Sequence, residues 1–513
     1  MIGLNKIRRI LSILLIVIMS SVMYGCYNVY GNYNNDAVSN MEYVQLKMFL
    51  IGDKPKDFDA VYDEVNKIMK EKINAELSVE FLSWSDMNEK YPLLFQAGEQ
   101  FDLIFTAEPW AFYNEVATRN GFYELTLDMI KEYAPDIYEN EPKEAWEQAK
   151  VENKIYMIPG DQTEYGTRVF GIRGDLARKY GIDEINDYDG LEKYMDAVSR
   201  DKDSDIKVIS NGGGQNLQYP YMLEKNEFEL VSGTPIPTIA YNVNKDNGDI
   251  FAVVDTEEYK NYAFKMKEFA QKGYWSSDSI VSRATRDEDF MNGKCAVMVW
   301  NLGSVVDRVE RVNEKHPEWE AEIVDQSAGL SRTLNPYTNN GMAINATSKN
   351  PERALMALNL LRYNKEIQEL TWYGIEGVHW NAEGDREYSQ TDKSEDFPTT
   401  SVCPWGWYSN SLHRSPINNS DISKKIFDTW VDNYTVDNIL NEFSFDDRNV
   451  KNEIATVNNV VKQYGVPIDL GMYDDVSGAV SEYKEKLREA GLYKIVDECK
   501  NQVNDYIKEK QAE

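Results

Sequence analysis

Cysteine and histidine are scarce in this chain, at four and three among 513 residues. Cys26 stands far from Cys295, Cys403 and Cys499, and that odd, widely spaced remainder gives no disulfide framework. One pair at most is possible, and free buried thiols are the alternative. No cluster of ligands has the spacing of a structural zinc site. Catalytic signatures are missing as well: neither Gly-x-Ser-x-Gly nor His-Glu-x-x-His occurs. Gly212-Gly213-Gly214 lacks the Lys-Ser/Thr that would make it a phosphate loop. Asp201-x-Asp203-x-Asp205 begins like a calcium loop, but Ile206 stands where the glycine belongs and Gly212 where the bidentate acid belongs. No metal or cofactor is expected. Positive charge is short too: 55 Lys and Arg face 86 Asp and Glu, a net charge of −31. Such a surface repels phosphate backbones and anionic head groups, which argues against nucleic acid as a partner.

No apolar run reaches the roughly 20 residues of a spanning helix. The longest, Ile10 to Met23, follows Lys6, Arg8 and Arg9 and reads as the core of a signal peptide over residues 1–25. Met23-Tyr24-Gly25-Cys26 then resembles a bacterial lipobox, in which the cysteine is diacylated and becomes the mature N-terminus. Met23 and Tyr24 depart from the usual Leu and Ala, so a plain secretory signal with an incidental cysteine is the alternative. Losing the leader removes three cations and leaves a chain near −34. Residues 26–41, rich in Asn and Tyr and without apolar periodicity, read as a tether.

The body alternates strands and helices. Val44–Ile51 is a strand ending at Gly52, and Phe58, Val61, Val65, Ile68, Met69 and Ile73 mark one helical face. Strands at 77–82 and 101–105 follow with a helix around 91–97 between them, the pattern of a parallel α/β sheet. The spacing further predicts strands over 154–160 and 168–173 joined by a polar crossing, and a hairpin at Asn247-Gly248 between 239–243 and 250–254. A helix is predicted over 259–272, closed by Gly273, and a buried strand over 295–300. A strand at 341–344 precedes a helix over 353–361, capped by Asn350-Pro351-Glu352. Aromatic-studded loops are expected over 373–420, and helices over 422–510.

These residues carry a resemblance. Arg173-Gly174-Asp175-Leu176 with Lys179-Tyr180-Gly181-Ile182 behind a lipobox leader looks like an extracellular solute-binding lipoprotein of an ABC importer. Asn340-Gly341-Met342-Ala343-Ile344, Ser348 to Leu355 and Tyr373-Gly374-Ile375-Glu376-Gly377-Val378-His379-Trp380 are more specific. With Trp405-Gly406-Trp407, Phe443-Ser444-Phe445-Asp446 and Glu485 to Leu492, they are similar to the subgroup ending in a DUF3502-type domain. The resemblance implies a periplasmic-binding-protein-like type II fold, two α/β lobes joined by a hinge that closes over ligand, with a helical C-terminal extension. By analogy lobe one is 42–162 plus 327–372, lobe two is 163–326 plus 373–420, and the DUF3502-like region, 421–513, packs on lobe two. It further implies a monomer anchored on the outer face of the cell membrane and serving ABC permease subunits.

Aromatics form 12% of the chain, and a sugar site needs aromatic platforms for ring faces with carboxylates or amides for hydroxyls. In α/β sheets ligands sit beyond the carboxyl ends of strands. That rule selects Trp84, Glu108 and Trp110 on lobe one, and Trp300 and Asn301 on lobe two. Asp161, Gln162 and Tyr165 lie at the crossing, and Trp372, Tyr373, Trp380, Trp405, Trp407 and Asn410 in later aromatic loops. The expected ligand is an oligosaccharide. A peptide or other small solute is one alternative, and a secreted carbohydrate-active enzyme with two carboxylates across a cleft another.

Overall fold

A computed structural model of the chain describes residues 41–512 apart from 109, 183, 211–216, 246–247, 283–285, 418–419 and 444. The leader, Cys26, most of the tether and Gly212-Gly213-Gly214 lie outside the described residues. Two sheets organise the chain. Their strands, in chain order, are β1 (Val44–Ile51), β2 (Ala75–Leu82), β3 (Leu103–Thr106), β4 (Met157–Pro159), β5 (Arg168–Ile172), β6 (Lys207–Ile209), β7 (Cys295–Asn301), β8 (Glu322–Val324) and β9 (Gly341–Ile344). The first sheet runs β2-β1-β3-β9-β4, with β1 parallel to both neighbours and β9 antiparallel to β3 and β4. The second runs β8-β5-β7-β6, with β5 antiparallel to β7 and β8.

The local chemistry explains these elements. β1 is covered on both faces, so Leu46, Met48, Phe49, Leu50 and Ile51 are all buried, as an interior parallel strand requires. Helix α1 (Phe58–Ile73) buries Phe58, Val61, Val65, Met69 and Ile73, the face its spacing predicts, and adds Tyr62. Each such side chain contributes about 1.5–3 kcal/mol of burial. The helix stops at Asn74, whose left-handed backbone (φ 46°) lets its N–H bond the Lys70 carbonyl. Ile239–Asn242 and Phe251–Ala252 do pair antiparallel, with Ile239 opposite Ala252, so their connection is longer than a two-residue turn.

Two large cores divide the molecule. The first joins the β1–β3 and β9 side chains to helix α3 (Pro351–Tyr363) and also to Phe397, Val402, Cys403 and Trp407. The stretch 373–420, expected in lobe two and as loops, therefore packs largely in lobe one. It also contains a hairpin, Trp380–Glu383 with Glu387–Gln390. The physical reason is apolar: Val402, Cys403 and Trp407 fill the end of the first sheet, where Gly406 lies close against Phe105 and Met342. Conversely Leu330 and Leu334, expected in lobe one, pack with lobe-two clusters. The second core joins Phe170, Val297 and Val299 to Phe443 and Phe445 and to Leu487, Leu492, Ile495 and Cys499 of the C-terminal helices. Trp275 Nε1 donates to the Leu470 carbonyl at 3.1 Å, tying those helices to lobe two. Cys295, Cys403 and Cys499 are free and buried.

Two of the crossings between the lobes run side by side. Gly160 N donates to the Tyr337 carbonyl at 3.0 Å and Asn335 N to the Glu164 carbonyl at 2.7 Å. Tyr165 and Leu334 form a β-bridge at their far end. Paired straps restrict the lobes to bending about one line, the geometry of a hinge.

Candidate functional site

The cleft side of each sheet follows from the crossings. The chain leaves lobe one after β4 and enters lobe two at β5, so the carboxyl ends of β1–β3 and of β7 face the hinge with the start of β5. On lobe one, Trp84, Trp110 and Trp405 converge there. Trp84 stacks on Trp110 (centroids 5.9 Å, planes 30° apart) and on Trp405 (6.4 Å, 23°), and Phe105 lies under both partners at 5.1 and 6.2 Å. Trp84 remains 51% exposed. Gly52 makes the shelf possible. With φ at +129°, it brings the Ser401 carbonyl within 3.2 Å and Trp84 Nε1 within 3.6 Å of where a Cβ would stand. The Ser401 hydroxyl beside it is buried without a hydrogen-bond partner.

The shelf is wired to the hinge. Glu108 N donates to the Thr338 carbonyl at 2.9 Å, and the Thr338 hydroxyl donates back to Glu108 Oε2 at 2.6 Å. Trp110 Nε1 donates to the Asn339 carbonyl at 3.1 Å. Burial raises the Glu108 carboxyl above the usual carboxylate range, partly offset by the hydroxyl of Thr338 and by Asn114 and Ser232 beside it. Ser232 belongs to lobe two, so the lobes approach each other here. Glu164 keeps an exposed surface while surrounding protein raises its carboxyl.

On lobe two, Trp300, next to last in β7, lies opposite Val169, and Arg168 opens β5 opposite Asn301. The Arg168 guanidinium lies 4.4 Å from the Trp300 ring centre and 4.3 Å from that of Tyr219, a cation–π sandwich. Asn301 itself is spent on structure: its Oδ1 accepts from Ser304 N at 2.9 Å and caps helix α2 (Leu302–Lys315). That helix meets lobe one across the cleft. Thr399 Oγ1 bonds Asp307 Oδ1 at 3.1 Å and receives Arg311 Nη2 at 3.2 Å, and Lys315 pairs with Glu395.

The remaining candidates fall elsewhere. Trp372, Tyr373 and Trp380 form their own cluster with Tyr388 and are 7%, 3% and 2% exposed. Trp380 Nε1 donates to the Gly374 carbonyl at 2.9 Å, and Trp407, buried in the first core, donates to Thr371 at 3.0 Å. Tyr165 is buried against Trp430 and Phe427, its hydroxyl 2.6 Å from that of Thr435. Asp161 accepts from Asn410 N at 2.8 Å, Gln162 meets the Tyr408 hydroxyl, and so both fasten the hinge to the 405–413 loop. Burial raises the Asp161 carboxyl despite Arg362 nearby. Sequence reasoning missed Arg168, Tyr219, Glu164, Glu224, Glu229 and Ser401. Arg168 alone had a readable signal, as the first residue of a strand emerging from the crossing. Among the described residues no group of three or more His, Cys, Asp or Glu could hold a metal ion.

Comparison with known proteins agrees with this architecture. The chain's fold matches that of the N-glycan transport solute binding protein (NgtS) of Streptococcus pneumoniae in complex with Man5GlcNAc. The TM-score is 0.72 at 23% identity, over 91% of this chain and 99% of that one. The fold is therefore that of the type II periplasmic solute-binding proteins, as the resemblance implied. Residues 439–508 match the family described as "Domain of unknown function (DUF3502)". The chain is 25% identical to a carbohydrate ABC transporter substrate-binding protein of Streptococcus pneumoniae serotype 4, over 96% of this chain and 97% of that protein. It is 21% identical to the polygalacturonan/rhamnogalacturonan-binding protein YtcQ of Bacillus subtilis, over 77% and 78%. The likeness to extracellular solute-binding proteins of ABC importers thus holds along nearly the whole chain.

Proposed function

We propose that this chain is the substrate-binding component of an ABC transporter and captures an oligosaccharide between its lobes for import. The observation that carries this reading is the three-indole shelf at the carboxyl ends of β1–β3, facing the Arg168–Trp300–Tyr219 sandwich. Flat apolar faces bordered by carboxylates and amide donors suit a sugar ring, whose faces are apolar and whose rim is hydroxylated. The relatives named for N-glycan transport and for polygalacturonan binding support an oligosaccharide without choosing its type. Ligand pressing on Trp110 and Glu108 acts directly on Thr338 and Asn339 of one hinge strap, which couples occupancy to closure. The α2 contacts to Thr399 and Glu395 then hold the closed form. The closed face is what permease subunits would read, with the protein acting as a monomer and without bond chemistry. Cys26 would anchor it by lipid to the outer face of the membrane.

Titrating the purified protein with an oligosaccharide panel, while following both tryptophan fluorescence and product release, tests the reading. A saturable change with intact sugar is expected. Product formation favours the enzyme alternative, and saturation by peptides alone overturns the sugar. Cys26→Ala is expected to release the protein from the membrane fraction.

A further inference from the structure

The loop that reaches from lobe one to α2 holds a backbone its sequence does not favour. Pro398-Thr399-Thr400-Ser401 is a tight turn, closed by Ser401 N donating to the Pro398 carbonyl at 3.1 Å. Thr400 takes its third position with φ at +69°, where glycine or asparagine is the ordinary occupant. Among the described residues it is the one β-branched side chain with a left-handed backbone. Its Cβ crowds the following carbonyl oxygen there, so the conformation persists only where neighbours enforce it.

The two ends of the turn are held by lobe one. Phe397 and Val402 are buried in the first core, and the Ser401 carbonyl lies against Gly52. The tip is held by lobe two. The Thr399 hydroxyl donates to Asp307 Oδ1 at 3.1 Å and accepts from Arg311 Nη2 at 3.2 Å. Arg311 also meets Asp307 at 3.2 Å, one helical turn along α2, so this socket exists on lobe two alone. The ends keep their contacts however the lobes move, whereas the tip's bonds last only while the cleft is shut. Two such hydrogen bonds and one strained residue are of the same order of energy, so neither swamps the other.

We propose that Thr400 is a positioning residue that sets how long a ligand is retained. In the closed form its strained backbone extends Thr399 into the Asp307–Arg311 socket. When the lobes part, the turn relaxes out of the left-handed region, so the stored strain favours opening and release. This rests on capture of a sugar between the lobes and adds the residue that limits its residence.

The experiment loads the purified protein with neutral manno-, gluco- and xylo-oligosaccharides and follows association and release by stopped-flow tryptophan fluorescence. Thr400→Gly accepts the left-handed backbone without the Cβ clash. It is expected to slow release about fivefold while association stays within about twofold. Thr400→Asn tolerates the same region and should slow release about threefold, which decides the matter if the glycine variant fails to fold. Thr400→Val keeps the branched Cβ and should match the unmodified protein within about twofold. In a Thr399→Val background the glycine should alter release by less than about twofold, because the strain acts through Thr399. Release that is unchanged or faster in the glycine and asparagine variants overturns the inference and leaves the oligosaccharide reading standing. An undiminished glycine effect in the Thr399→Val background does the same. Binding of no oligosaccharide by the unmodified protein overturns both.

Discussion

Lobe one holds two aromatic clusters of similar composition. In one, Trp84, Trp110 and Trp405 stack with a half-exposed central ring, and only Trp110 has its indole N–H tied to the hinge. In the other, Trp372, Tyr373, Trp380 and Tyr388 close on one another beside His413. There the Tyr373 hydroxyl accepts from Arg414 N and donates to the Arg414 carbonyl. The difference teaches that an aromatic's role lies in where its edge and polar tip go. A ring with its tip tied inward and both faces covered is core, whereas a ring left half open beside an unpartnered Ser401 hydroxyl has a face free to meet a ligand, as proposed above.

Substitutions can break that contrast. Trp380→Ala is expected to have the largest effect, a loss of about 4 kcal/mol in chemical denaturation, because it empties a filled site. A loss below 1 kcal/mol would show the cluster to be dispensable packing. Next comes acid. Burial, with Arg386 nearby, lowers His413 from 6.5 to about 4. As pH falls from 6.5 towards 4 the unfolded chain takes up this proton before the folded one. Stability is therefore full above pH 6.5 and declines through that window, by on the order of 2 kcal/mol for a partly exposed ring. His413→Gln should flatten this part of the pH–stability curve, and an unchanged curve refutes the assignment.

Trp84→Ala is expected to weaken oligosaccharide binding about tenfold by calorimetry while moving stability by less than about 0.5 kcal/mol. A large stability loss without an affinity change would make the shelf a second core. Thr399→Val should act most weakly. It removes the α2 contacts to Asp307 and Arg311 and is expected to lower affinity about threefold, seen as faster ligand release.

The position of Trp84, Glu108, Trp110 and Trp300 at or just beyond the carboxyl ends of their strands was legible from sequence, because a strand followed by a turn fixes which residues lie there. Periodicity likewise gave β1 and α1 nearly to the residue. It failed over 373–420, where no regular period exists and apolar residues are scattered among polar ones. Val402, Cys403 and Trp407 fill the first sheet's end through contacts hundreds of residues distant, as Cys403 Sγ to the Ile51 carbonyl at 2.6 Å shows. Arg168, Glu224 and Glu229 were unreadable for a related reason. A charged residue in a cleft looks like any surface charge until the fold encloses it.

The Trp84–Trp110–Trp405 stack also has an optical consequence. Indoles this close and nearly parallel share their excited states, so the shelf absorbs circularly polarised near-ultraviolet light as a coupled unit rather than as three separate rings. On the proposed function, a sugar face settling on Trp84 would change that coupling and give the protein an intrinsic, label-free signal of an occupied cleft.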